Sequence, residues 1–110
     1  MRKKVKKYDE SLIESLKDPK EAVAYLNAHL EDDAKGSEEL FLLALRDVAK
    51  AHGFGDVAKG ADLGRESLYK ALSADGNPEF TTIMKVMRAL GVRLRAESVS
   101  SRSLSGLRNP

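Results

Sequence analysis

FGDVAKGADLGRESLYKALS, residues 54–73, carries the most informative pattern in the chain. Val57 and Ala61, then Leu68 and Ala71 after a break at 62–64, recur at three- and four-residue intervals. That spacing predicts two short helices with their apolar faces turned toward each other. Ala58 is the small residue a steep helix crossing requires, and Leu63 is a further apolar lock. The pattern is that of a helix-turn-helix, placed at residues 55–73, with its second helix at 65–72.

With Leu68 and Ala71 facing inward, the outward side of the second helix carries Arg65, Glu66, Ser67, Tyr69, Lys70 and Ser73, with Gly64 at its cap. Such a set can meet base edges and phosphates of double-stranded DNA. Arg65 suits a bidentate contact to guanine and Lys70 a phosphate contact. The turn departs from the common form in having Asp62 where Gly is usual and Gly64 where a hydroxyl cap is usual. Asp visits left-handed backbone more readily than most residues, and Gly is an acceptable if weaker cap. The same spacing also fits two unremarkable helices of a bundle.

The flanks are helical too. Leu12, Ile13 and Leu16 predict a short helix capped by Asp9. Asp18, Pro19 and Glu21 form an entry signal for a second, carrying Ala22, Val23, Leu26 and Leu30. Ser37 is read as the cap of a third, whose broad face of Leu40, Phe41, Ala44, Leu45 and Val48 is central to the core and which ends at Gly53. SADGNPEF, residues 73–80, is turn-rich, and Thr81 or Thr82 is read as the cap of a last helix with Ile83, Val86, Met87 and Leu90, ending at Gly91. Val92, Leu94 and Ala96 then alternate with Arg93, Arg95 and Glu97, which predicts a strand. A lone strand needs a partner, and a second copy across a two-fold axis would supply one, so these three apolar residues are the candidate dimerisation positions of a homodimer.

The resulting expectation is an all-α fold: a bundle of about five helices with a central helix-turn-helix and a short C-terminal β-strand. It occupies residues 9–99, between a basic flexible tail at 1–8 and a disordered tail at 100–110. One core is what 110 residues, 42% of them hydrophobic, can build. Two-lobed enzymes are excluded.

Charge is unevenly placed. Residues 1–8 sum to +5, residues 9–39 to −7 and residues 40–110 to +4. A basic partner would be drawn to the acidic stretch, where Glu14, Glu21, Glu31, Asp32 and Asp33 are the candidate contact residues. A solvated helical face explains the same charges equally well. The chain has no cysteine, no signal-peptide pattern and no apolar run of membrane-spanning length, so the cytoplasm is the expected location.

Catalysis finds little support. His29 with Asp32 or Asp33 has the spacing of a metal pair, but two ligands do not make a site. His52 is placed to meet a helix dipole, Tyr8 and Tyr25 suit packing, and no base and nucleophile are arranged together. No catalytic residues, metal or cofactor are expected.

From residue 9 to 97 the order of segments resembles the probable addiction-module antidote proteins, a branch of the lambda-repressor-like helix-turn-helix proteins. DPKEAVAYLNAHLED (18–32), ELFLLALRDVAKAHG (39–53) and the stretch from DVAKGADLG to VRL (56–94) carry the resemblance. Its most specific piece is RESLYKALSADGNPEF (65–80). The resemblance implies a small antitoxin that sequesters a RelE/ParE-like ribonuclease toxin and, as a dimer, represses their shared operator. The alternatives are a stand-alone repressor of phage type and a toxin-binding module without DNA affinity.

Overall fold

The computed structural model describes residues 2–31, 36–73 and 75–98, with side chains from residue 9 onward. Six helices follow in chain order: α1 (Arg2–Ser15), α2 (Pro19–Leu30), α3 (Ser37–His52), α4 (Phe54–Gly60), α5 (Arg65–Ala71) and α6 (Phe80–Ala89). The six stand at the segments the sequence marks as helical, one more than the expected count of about five.

The boundaries follow local chemistry, in places differently from expectation. The Asp18 carboxylate accepts a hydrogen bond from the Lys20 backbone N–H at 3.0 Å, and Pro19 occupies the first turn, so α2 begins as predicted. Asp9 does not cap α1, which starts at Arg2 and runs through the basic head that the sequence suggested was a tail. Lys and Arg are good helix formers, and nothing between residues 2 and 9 breaks the helix. Ser37 lies inside α3, whose cap is Gly36 at φ 84°; Thr81 and Thr82 lie inside α6, whose cap is Glu79.

Helix α3 packs against α1, α2 and α4, and α4 in turn packs against α5 and α6. Ala44, Leu45, Val48 and Ala49 of α3 are buried with Leu16, Leu26, Val57, Ala58, Leu68, Leu72, Val86 and Met87 in one apolar core. Small residues permit a close crossing: a Cβ on Gly60 would lie 3.2 Å from the Ala89 Cβ, so α4 and α6 approach closely there. The sequence overestimates three positions, since Val23, Leu30 and Leu40 share helical spacing with core residues but are 42%, 49% and 47% exposed. Each lies at the margin of an apolar stripe wider than the surface its neighbours cover.

Two helices end in the same way. At the end of α4 the Leu63 N–H bonds to the Ala58 carbonyl at 2.8 Å and the Asp62 N–H to the Lys59 carbonyl at 3.1 Å, with Asp62 left-handed at φ 59°. At the end of α6 Val92 reaches back to Met87 at 2.9 Å and Gly91 to Arg88 at 3.0 Å, with Gly91 at φ 75°. Both are Schellman closures, which turn the chain sharply and return an apolar residue to the helix just left. The first brings Leu63, the second Val92, against the core.

Asp62 is the non-glycine residue among the described ones with positive φ, and a side chain there is strained. Asp62→Gly is therefore expected to raise stability by about 0.5–1 kcal/mol. Thermal unfolding reads this directly, and a lower melting temperature would show that the carboxylate stabilises the turn by more than its strain costs.

No strand occurs among the described residues: 92–98 has no regular structure. The expected C-terminal strand is thus not formed among the described residues. A strand is defined by its pairing, and no other described segment is extended beside this one. The alternation survives in the burial, with Val92 and Leu94 half-buried against the core while Arg93 and Arg95 are exposed.

Candidate nucleic-acid interface

Helix α5 has seven residues, too few to be stable alone, and is held by the burial of Leu68 within it and Leu72 at its end, both 0% exposed. Fixing those two sets the direction of all the others. Gly64, Arg65, Glu66, Ser67, Tyr69 and Lys70 are exposed, as the sequence predicts, and Ser73 is half-buried. The Ser73 hydroxyl donates to the Lys70 carbonyl at 2.9 Å, so it closes the helix end and is partly occupied. Gly64 caps α5 in extended backbone, φ −73° and ψ 155°, without a side-chain hydrogen bond.

Tyr69 is 37% exposed and is more constrained than its neighbours. Its ring stacks on Phe54 with centroids 4.0 Å apart, and the Arg46 guanidinium carbon lies 5.1 Å from its centroid. Phe54 is the first residue of α4 and Arg46 belongs to α3, so three helices converge on one exposed tyrosine. Sequence reasoning missed Arg46. It lies 23 residues before Tyr69 in a helix that reads as core-forming, and only tertiary packing brings the two together.

The remaining candidates are elsewhere. Glu14 is exposed and pairs with Lys17 at 3.0 Å, a surface ion pair of small energetic weight. Glu21 and Glu31 are exposed, while Asp32 and Asp33 lie outside the described residues. Glu31 lines a groove of about 570 Å³ between α2 and residues 91–97, together with Val23, Leu30, Val92, Leu94 and Arg95. One candidate of the acidic set and two of the dimerisation set therefore share one concave surface. Ala96, the third, is exposed.

His29 is engaged structurally, its Nδ1 2.8 Å from the Tyr25 carbonyl and its ring edge-on to that of Tyr25. Tyr25 in turn donates its hydroxyl to Asp47 at 2.9 Å, tying α2 to α3. Among the described residues no three His, Asp or Glu side chains gather as metal ligands, and no helix is long and apolar enough to cross a membrane.

A family model described as "Probable addiction module antidote protein" matches residues 4–98, most of the chain and every helix but the first two residues of α1. The chain belongs to this antidote family. An uncharacterized protein of Haemophilus influenzae is similar to it, 41% identical over 97 residues that cover 88% of this chain and 95% of the relative. No solved structure matches. An antidote of an addiction module acts against a toxin, so the family implies a toxin partner in general. The match runs through both the exposed face of α5 and the groove beside α2.

Proposed function

We propose that this antidote protein is a cytoplasmic antitoxin that neutralises a RelE/ParE-like ribonuclease toxin and represses its own operon through a lambda-repressor-like helix-turn-helix formed by α4 and α5. The observation that carries the DNA-binding part is the arrangement of α5: Leu68 buried, Arg65, Glu66, Ser67, Tyr69 and Lys70 exposed together. An exposed polar helix face backed by one apolar anchor fits a major groove, and the +4 balance of residues 40–110 favours a polyanion. In this reading Arg65 contacts a base, Lys70 a phosphate, and Glu66, Ser67, Ser73 and the Gly64 backbone adjust the fit.

The operator-bound form is a homodimer. Residues 92–97 carry the alternation of a strand and make no strand pairing among the described residues, so the matching segment of a second copy completes it, with Val92 and Leu94 on the inner face and Ala96 at the seam. Two recognition helices then reach successive major grooves about 34 Å apart, on a pseudo-palindromic operator. The acidic residues Glu14, Glu21 and Glu31, with Asp32 and Asp33, attract a basic toxin.

Two substitutions separate base reading from phosphate contact. Arg65→Ala is expected to weaken binding to DNA upstream of the gene by about 1–3 kcal/mol and relax preference at one base pair, whereas Lys70→Ala weakens every duplex alike. Titration against the upstream duplex and single-base variants of it measures both. Equal losses on all sequences from both changes would remove the assignment of roles, and a wild-type protein that neutralises its toxin yet binds no DNA would leave a toxin-binding module.

A further inference from the structure

We propose that Arg46 of α3 is a phosphate-contacting residue of the DNA interface, its guanidinium held against the Tyr69 ring. The inference rests on the DNA-binding reading of α5 and adds to it a contact from a different helix. Three observations converge on it. The guanidinium carbon lies 5.1 Å from the centroid of Tyr69, within cation–π range, and Phe54 stacks on the same ring at 4.0 Å. The Arg46 Nε is buried and, among the described residues, has no hydrogen-bond acceptor. No carboxylate among the described residues pairs with Arg46: the adjacent acid, Asp47, accepts the Tyr25 hydroxyl, and the ion pair found is Lys17–Glu14.

The buried Nε is the unusual feature, because a charged donor removed from water ordinarily has an acceptor. Arg46 as a whole is half-buried and its terminal nitrogens are not among the buried unpartnered atoms, so the outer edge of the fork is not sealed from solvent. A planar fork with its stem fixed and its outer edge free matches the two oxygens of a phosphate. Position selects the kind of phosphate. Tyr69 stands on the outward side of α5, between Arg65 and Lys70, and a helix seated in a groove has backbone phosphates along both flanks. Arg46 is anchored to the flank of that helix. Its ring support lowers the conformational freedom lost on contact, which a lysine on a free stem would not match.

The test uses full-length protein, a duplex of the DNA upstream of the gene and an unrelated duplex, with affinity measured across salt concentrations. Arg46→Gln is expected to weaken both duplexes by the same factor, about tenfold, and to lower the slope of log affinity against log salt by about 0.9, the value of one phosphate contact. Arg46→Lys keeps the slope and loses part of the affinity. Tyr69→Phe, which preserves the ring stack, keeps the slope. Melting temperatures of all variants accompany these titrations. An Arg46→Gln protein that melts lower with an unchanged salt slope would make Arg46 a purely structural support for Tyr69 and overturn the proposal. Failure of the wild type to bind either duplex, by contrast, would strike the DNA-binding reading beneath it.

Discussion

Leu68→Ala is expected to lower stability by about 2–5 kcal/mol and to abolish operator binding at protein concentrations where Arg65→Ala still binds. Leu68 is fully buried and is the buried residue within α5. A seven-residue helix has no independent stability, since nucleation outweighs the few hydrogen bonds it can form. Its docking through Leu68 and Leu72 is therefore what keeps it helical. Truncating Leu68 leaves a cavity at the α4–α5 junction and detaches the outward face from the frame that orients it. Against a total of about 5–15 kcal/mol for a domain of this kind, the loss is a large fraction. Urea unfolding gives the change, provided the denaturant slope is unaltered. A cost under about 1 kcal/mol would mean that α5 is held by something other than this anchor.

Gly76→Ala is the second large effect. A Cβ at Gly76 would sit 2.5 Å from the Ala71 carbonyl oxygen and 2.7 Å from that of Lys70. Both are backbone atoms at the end of α5 and neither can rotate away. The turn after α5 folds directly over the helix's last carbonyls, with the Gly76 N–H donating to Ser73 at 2.9 Å. Any side chain must push the turn and the helix end apart. Overpacking of this kind costs about 1–3 kcal/mol, occasionally more. Lys70 and Tyr69 lie in the displaced turn of helix, so DNA affinity falls with stability. The comparison with Gly55→Ala is decisive, because a Cβ at Gly55 meets nothing within 4 Å. If both alanine variants melt at the same temperature, the close approach at Gly76 has no energetic weight.

Gly76 also accounts for a feature the sequence could only mark as distinctive. The DGNP turn directly after the helix reads as unusual, but nothing local says why glycine stands there. The reason is a carbonyl five residues back, visible only once the chain has folded over itself. Arg46 is the same case at longer range: its helical period places it on the polar side of α3, yet its neighbour is an aromatic ring on α5.

What the sequence determined by itself was the set of helices, the break at 62–64, the left-handed tolerance of Asp62 and the outward side of α5. These are local or periodic properties, set by φ/ψ preferences, capping chemistry and which residues must leave water. The order of segments was also enough to reveal the family. Tertiary structure decided the rest. It decided that Val23, Leu30 and Leu40 stay exposed, because periodicity shows which face is apolar but not how much of it a neighbour covers. It set the start of α1, where good helix formers extend the helix beyond the first cap signal. It left residues 92–98 without a strand partner, because alternation describes a strand's faces while pairing requires a second segment at hydrogen-bonding distance. It also gathered Arg46, Phe54 and Tyr69 into one cluster from three helices, a contact that depends on crossing angles no single helix encodes.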